Sequence, residues 1–187
     1  MTYNFYNNIK KNKSRNVGFG IHGIDLPSRI LICSPSGTGK TNLLLNFLKL
    51  SSDTFSKIVI CTKDSDEPLY NLLKQESEDV EFYDIGSTNA SKGSLNGQIP
   101  DISEFDGHKS SLIVFDDLVL EKDQRRIEEL YIRGRKKGIT SIYLSQSYYK
   151  TPKLIRINCR YIIIKRLASI KDLKMILSEY NLTQNID

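Results

Sequence analysis

The chain has 187 residues, enough for one domain with a full hydrophobic core and too few for two domains of ordinary size. Hydrophobic residues make up 39% and charged residues 26%, a balance typical of a folded globular protein that excludes an intrinsically disordered one. No apolar run approaches the roughly 20 residues that cross a bilayer, so we expect no membrane-spanning segment.

The formal net charge of +5 is distributed unevenly along the chain. Residues 1–30 contain 5 basic and 1 acidic side chains, residues 31–120 contain 7 and 14, and residues 121–187 contain 15 and 7, which gives +4, −7 and +8. The basic last third fits an anionic partner such as nucleic acid, and it also fits solvated helix faces.

The cysteines and the first residues indicate an intracellular protein. The start of the chain is polar and basic and lacks the apolar core of a secretory signal. Cys33, Cys61 and Cys159 lie far apart, show no metal-ligand spacing, and each lies in or beside an apolar run. We therefore expect reduced, buried thiols.

Apolar runs alternate with helical patterns from residue 29 onward, after an arm at residues 1–27 that shows no clear periodicity. The runs predict strands at 30–33, 57–62, 80–85, 111–115, 140–144 and 159–165. Helices are predicted at 41–50, 68–76, 121–137 and 169–180, with a short one starting at Pro152 and a loop at 86–100. This alternation predicts an α/β fold with a mostly parallel sheet covered on both faces.

Segment 34–41 (SPSGTGKT) nearly matches the phosphate-binding pattern G-x-x-x-x-G-K-[ST], between an apolar strand and an apolar helix. The glycines allow backbone N–H groups to wrap around phosphates, and the helix presents its positive end to the same phosphates. Lys40 is expected to reach the β- and γ-phosphates, and Thr41 to bind Mg²⁺. Ser34 stands where the pattern has glycine. The residues predicted to bind the nucleotide are Ser34, Pro35, Ser36, Gly37, Thr38, Gly39, Lys40, Thr41 and Asn42.

An acidic pair, Asp116 and Asp117, ends the apolar run 112–115. In nucleotidases the first acid binds Mg²⁺ and the second polarises the attacking water, so we assign these roles in that order. Gln146, at the tip of the next strand, is predicted to sense the γ-phosphate or to orient the water. Two predicted strands separate the phosphate loop from the acidic pair along the chain, as in ring-forming and RecA-like ATPases.

Arg133 and Arg135 lie near the end of a predicted helix, where they could project toward a neighbouring subunit and stabilise charge on its phosphate. Surface charge or nucleic-acid binding explains them as well. The basic side chains considered for DNA binding are Lys136, Lys137, Lys150, Lys153 and Arg156.

Four segments in this order resemble the poxvirus-type genome-packaging ATPases of the FtsK–HerA superfamily, found in large DNA viruses, virophages and related elements. They are ICSPSGTGKTNLLL at 32–45, EPLY at 67–70, LIVFDD at 112–117 and RGRKKGITSIYLSQSYYKTPKLIR at 133–156. The resemblance covers roughly residues 28–166. It implies a P-loop NTPase domain at 28–187 with a RecA-like, three-layer core, which assembles as a ring and drives double-stranded DNA into a preformed capsid.

The same resemblance implies ATP and Mg²⁺ as cofactors and assigns catalytic roles to Lys40, Asp117, Gln146 and either Arg133 or Arg135. It implies a pentameric or hexameric ring, a capsid or packaging-vertex protein as partner, and a location in the virion or the host-cell cytoplasm. Ser34 departs from the family pattern, and so does Lys136, where relatives often have His. A small nucleotide kinase and a nucleotide-gated assembly protein are the alternatives.

Overall fold

The computed structural model describes residues 16–77, 79–85, 99–121 and 124–180. These residues form a sheet of six parallel strands in the spatial order β3-β2-β4-β5-β1-β6. The strands are β1 (Arg29–Cys33), β2 (Lys57–Thr62), β3 (Val80–Asp84), β4 (Ser111–Asp116), β5 (Ile139–Ser145) and β6 (Tyr161–Ile164). The prediction of an α/β fold with a parallel sheet is confirmed.

Helices cover both faces of the sheet. They are α1 (Phe19–His22), α2 (Lys40–Leu50), α3 (Pro68–Glu76), α4 (Arg125–Arg133), α5 (Lys153–Asn158) and α6 (Ile170–Glu179). Because side chains alternate along a strand, the apolar run of β4 serves two cores. Leu112 packs with Leu44 of α2 and Tyr70 of α3, whereas Ile113 belongs to the core that contains residues of α4, α5 and α6. The result is a three-layer arrangement.

The strand that carries the acidic pair is not adjacent to the strand that leads into the phosphate loop. β5 lies between β4 and β1. The sequence placed two strands, β2 and β3, between the loop and the acidic pair along the chain, but in the sheet both lie on the far side of β4. The carboxyl ends of parallel strands meet at one edge, so the phosphate loop, Asp117 and Gln146 all emerge there.

The helix predicted at 121–137 is shorter in the structure, where α4 spans Arg125–Arg133. Residues 122–123 lie outside the described residues, α4 ends at Arg133, and a 3-10 turn continues through Gly134–Lys137. Gly134 is buried, and a β-carbon there would lie 3.2 Å from Cβ of Ile139. Close packing against the start of β5 therefore accompanies the change of helix at Gly134, as the helix-weakening glycine predicted.

Part of the predicted N-terminal arm packs onto the sheet. Ile24 belongs to one of the two cores, and the Val17 N–H donates a 3.0 Å hydrogen bond to Thr54 Oγ1. Residues 1–15 of the arm, 86–98 of the predicted loop, and 181–187 lie outside the described residues. Within the described part of the chain, no helix combines the length and apolar character needed to cross a bilayer.

Candidate functional site: a phosphate-binding loop beside an acidic strand end

The loop between β1 and α2 depends on glycine at two positions. Gly37 and Gly39 have φ angles of +70° and +83°, in the left-handed region that residues with a β-carbon rarely adopt. Gly39 is also the residue from which α2 begins. The loop therefore delivers its last N–H groups at the N-terminus of a helix of 11 residues, the arrangement that attracts phosphate.

Ser34, the departure from the glycine pattern, occupies ordinary backbone geometry. It is not among the residues with a positive φ angle, and its N–H donates to the carbonyl of Ser145 at 3.0 Å. Its side chain is fully buried, and its Oγ lies 2.6 Å from Oγ1 of Thr38. A serine here stabilises the turn through its hydroxyl, so the missing glycine does not distort the loop.

Lys40 and Thr41, the first residues of α2, have the polar contacts expected at a phosphate site. The Lys40 side chain is only 9% exposed, and its Nζ donates to the carbonyl of Pro35 within the loop at 3.2 Å. The Thr41 hydroxyl donates to Oε2 of Glu67 at 3.4 Å. Lys40 thus has its charge inside the loop, where a phosphate oxygen is a stronger acceptor than a carbonyl.

Asp116 is the buried acid at the end of β4, and 7% of it is exposed. Its Oδ2 accepts a 2.6 Å hydrogen bond from the hydroxyl of Tyr70, a fully buried residue of α3. Burial raises the pKa of Asp116 to about 6, and the charges of Glu67 and Asp117 act in the same direction. The Tyr70 hydrogen bond and the Lys40 charge oppose this rise in pKa. A cation near Asp116 would favour its ionised form further.

Asp117 and Gln146 contact each other across the two strand ends. Nε2 of Gln146 donates a 2.7 Å hydrogen bond to Oδ2 of Asp117. Asp117 has a φ angle of +55°, a left-handed conformation that aspartate tolerates better than most residues, and its side chain is exposed. The two predicted catalytic residues therefore form one hydrogen-bonded pair, with the carboxylate open to solvent.

The loop that carries Gln146 is anchored to α6 by Asp172, which is fully buried. Oδ1 of Asp172 accepts hydrogen bonds of 2.8 Å from the Ser147 hydroxyl and from the Tyr149 N–H. Oδ2 of Asp172 accepts from the hydroxyl of Ser169, the N-cap residue of α6. This arrangement fixes the backbone directly after Gln146.

One open cavity of about 450 Å³ unites these groups. Most predicted site residues line it. They are Ser36, Gly37, Gly39, Lys40, Thr41, Asp116, Asp117 and Gln146. Four predicted nucleotide-binding residues, Ser34, Pro35, Thr38 and Asn42, do not line it: Ser34 is buried beneath the loop, and Asn42 is exposed on α2.

The residues present fit a Mg²⁺ site. Thr41, Glu67 and Asp116 line the same cavity and supply the hard oxygen ligands that Mg²⁺ prefers. Within the described residues no three His, Cys, Asp or Glu side chains are gathered closely enough to hold a metal alone. Mg²⁺ needs only one or two carboxylates when phosphate oxygens complete its shell.

Arg133 and Arg135 lie at the opposite edge of the sheet from this cavity. They precede the start of β5, whose 7 residues span about 20 Å. Arg133 donates to Glu129 at 2.8 Å, whereas the Arg135 side chain is exposed and makes no hydrogen bond or ion pair with any described residue. Neither arginine is placed beside the phosphate loop of its own chain.

Three residues near the site carried no assigned role in the sequence. Glu67 and Tyr70 approach Thr41 and Asp116 from the start of α3, and Lys165 donates to the loop carbonyls of Thr38 and Gly39. Glu67 and Tyr70 lie in the EPLY segment, which was a signal for them. Lys165 had none, because its contact with the loop depends on β6 pairing with β1.

No protein-family model matches the sequence, and no curated protein matches it. Solved structures do. The genome packaging NTPase B204 from Sulfolobus turreted icosahedral virus 2, in complex with AMP, superposes with a TM-score of 0.62 at 14% identity, over 86% of this chain and 85% of that one. The chain has the fold of a viral genome-packaging NTPase. The resemblance predicted from the sequence is thus confirmed at the level of the fold.

Two further structures show the same fold. The DNA-packaging ATPase B204 from Sulfolobus turreted icosahedral virus has a TM-score of 0.59 at 15% identity, over 84% of this chain and 83% of that one. The cytoplasmic domain of EssC has a TM-score of 0.59 at 14% identity, over 81% of this chain and 33% of that one. The fold therefore occurs in chains of very different length.

Proposed function

We propose that the chain is an ATPase that uses ATP hydrolysis to translocate double-stranded DNA and so packages a viral genome into a preformed capsid. The observation that carries the proposal is the single cavity in which Lys40 and Thr41 meet Asp116, Asp117 and Gln146. The fold shared with B204, which has been solved with AMP and with ATP-gammaS, supports a nucleotide as the ligand.

Each side chain of the cavity has a separate role in hydrolysis. Lys40 and the N–H groups of the glycine loop bind the phosphates, and Thr41 and Asp116 would hold Mg²⁺. Bound Mg²⁺ would supply positive charge against the phosphate oxygens. Asp117, exposed to solvent, accepts a proton from the attacking water, and Gln146 holds its carboxylate in place through the 2.7 Å hydrogen bond.

The basic residues considered for DNA binding separate into distinct groups. Lys136 and Lys137 are exposed at the amino edge of the sheet, before β5, while Lys150 and Lys153 are exposed at the carboxyl edge, after it. Arg156 is 6% exposed and donates to Glu179 at 2.8 Å and to the carbonyl of Thr151. We assign phosphate contacts to the exposed lysines and a structural role to Arg156.

A ring of subunits would bring together the two edges that one chain keeps apart. Arg135 lies far from its own phosphate loop and is exposed, which suits a group that acts on the neighbour's nucleotide. Residues 28–187 then form the ATPase domain and residues 1–27 an arm. A capsid or packaging-vertex protein would be the further partner, in the virion or the host-cell cytoplasm.

The nucleotide-kinase alternative has weaker support. Simple nucleotide kinases usually place the acid-bearing strand beside the loop strand, whereas β5 separates the two strands here. A screen of nucleoside monophosphates as phosphate acceptors discriminates the two functions, since a translocase transfers the γ-phosphate only to water.

The test of the proposed function is the ATPase rate with and without duplex DNA at low salt. We expect DNA to stimulate hydrolysis, and the stimulation to fall steeply as salt rises, because phosphate contacts release counterions. Lys40→Ala is the negative control for hydrolysis. A rate that is independent of DNA in an assembled oligomer would contradict the translocase and leave only an ATPase.

A further inference from the structure

Lys165 follows the last residue of the edge strand β6, next to the phosphate loop. Its backbone N–H donates to the carbonyl of Cys33, the last residue before the loop, at 3.3 Å. Its Nζ donates to the carbonyl of Thr38 at 2.5 Å and to that of Gly39 at 3.3 Å. A cation supplied from more than 120 residues away thus binds two consecutive carbonyls of the loop.

Each of these carbonyls belongs to a peptide group whose N–H matters for phosphate binding. In a planar trans peptide the C=O and the N–H point in opposite directions. The Thr38 carbonyl shares its peptide group with the Gly39 N–H, and the Gly39 carbonyl shares its group with the Lys40 N–H. Contact of the two carbonyls with Lys165 therefore directs the two N–H groups away from Lys165, and at the Gly39 carbonyl the Leu43 N–H of α2, at 3.0 Å, acts together with the lysine.

We infer that these N–H groups face the cavity. Gly39 and Lys40 line the cavity, whereas Lys165 does not. The ammonium group therefore lies behind the loop with respect to the proposed phosphates. From there it orders the backbone and stabilises the carbonyl ends of two peptide dipoles whose positive ends face the ligand.

Glycine at position 39 permits both the turn of the loop and the contact with Lys165. A β-carbon at this position would lie 3.0 Å from Nζ of Lys165, closer than an ordinary contact, so the ammonium group would have to shift slightly. The positive φ angle alone explains why glycine occurs at this position. The absence of a β-carbon also gives the ammonium group of Lys165 room to approach the loop.

Lys165 contacts backbone carbonyls and not a carboxylate of the described residues. Lys165 forms no ion pair with any described carboxylate. The residue is exposed, so water could solvate its charge without any contact to the loop. Holding a long lysine side chain in one conformation costs rotamer entropy. The two contacts with the loop carbonyls must offset that cost, which indicates that these carbonyls are good acceptors for an ammonium group.

We propose that Lys165 is a positioning residue that orients the Gly39 and Lys40 N–H groups toward the nucleotide phosphates. This role rests on the proposed nucleotide binding and not on hydrolysis, DNA binding or assembly. The mechanism requires a positive charge with N–H donors behind the loop, so arginine can replace lysine and an apolar side chain cannot.

The test compares Lys165→Met and Lys165→Arg with wild-type protein, and uses Lys174→Met as the matched control. Lys174 is an exposed lysine of α6 whose side chain makes no hydrogen bond or ion pair with a described residue. We expect Lys165→Met to raise the dissociation constants of ADP and of pyrophosphate about tenfold, with Lys165→Arg and Lys174→Met close to wild type. Pyrophosphate isolates the phosphate contacts from those of the base.

A spectroscopic readout tests the orientation directly. The amide proton resonances of Gly39 and Lys40 should move on ADP addition in wild-type protein, and move much less in Lys165→Met at saturating ADP. Unchanged affinity together with unchanged amide shifts in Lys165→Met would overturn the proposal. Wild-type protein that binds ADP but shows no DNA-dependent hydrolysis would contradict the proposed translocase and leave this inference standing.

Discussion

The hydroxyl of Tyr70 donates a 2.6 Å hydrogen bond to Oδ2 of Asp116, and both residues are buried. The donor stabilises the charged carboxylate and offsets part of the rise in pKa that burial causes, so that the pKa of Asp116 is about 6. The contact joins α3 to the carboxyl end of β4. It offers the most direct way to perturb Asp116 without altering the carboxylate itself.

Tyr70→Phe should raise the pKa of Asp116 further, by about one unit, because the ionised form loses a hydrogen bond that the neutral form needs less. The measurement is the titration of the Asp116 carboxyl carbon in metal-free protein. Tyr83→Phe on β3 removes the same atom from a half-buried tyrosine outside the cavity and serves as the control. A midpoint that stays near that of the wild type would contradict the role of Tyr70.

Asp117→Asn should keep nucleotide binding and lower kcat by about 100-fold or more, because the amide cannot accept the proton of the attacking water. ADP affinity and ATPase rate, measured on the same preparation, separate the two effects. Gln146→Ala should reduce kcat less, since it frees the Asp117 carboxylate without removing it. If Asp117→Asn hydrolyses ATP at the wild-type rate, another carboxylate of the cavity, such as Glu67, is the base.

The sequence predicted the layers of the fold because buried parallel strands appear as apolar runs, and the six runs here are separated by helical patterns. The bounds of β2 and α3 match the predicted 57–62 and 68–76. The pattern of apolar runs did not predict the order of the strands in the sheet. Nothing in the run 140–144 distinguishes a strand beside β1 from one elsewhere, since the choice depends on packing of the whole sheet.

The sequence singled out the glycine-rich loop and the acidic pair, which line one cavity, because their residue types and spacing have a local chemical reason. The contacts of Tyr70 and Lys165 were not predictable, although the EPLY segment marked Tyr70, because these contacts join residues 46 and 127 positions apart. Ser34 stands where the pattern has glycine, but the left-handed backbone geometry occurs at Gly37 and Gly39 instead.

Arg135→Ala should reduce the ATPase rate of assembled protein strongly, and Arg133→Ala only slightly. Arg133 is engaged by Glu129, while Arg135 is exposed and available to a neighbour. Mixing Arg135→Ala with Asp117→Asn subunits should restore part of the rate, since some interfaces then combine an intact arginine with an intact carboxylate. Absence of recovery in assemblies shown to be mixed would place Arg135 outside the neighbour's site.

Asp172→Asn should lower kcat while leaving ADP affinity unchanged, because the anchor that fixes the backbone after Gln146 is weakened. Burial raises the pKa of Asp172, but hydrogen bonds from Tyr149, Ser147 and Ser169 lower it more, so its net pKa lies below the ordinary 3.8. The charged form is thus favoured in the folded state. We expect the variant to lose about 2 kcal/mol of unfolding free energy at neutral pH.

The pH dependence of that loss identifies its origin. A lowered pKa in the folded state contributes stability that is complete above the unfolded value of about 3.8 and disappears as the pH falls through the folded value. The difference in unfolding free energy between wild type and Asp172→Asn should therefore shrink below about pH 4. Asp79→Asn, at an exposed position outside the site, should show neither the loss nor its pH dependence. A difference that stays constant down to pH 2 would mean that the Asp172 charge does not hold the Gln146 loop.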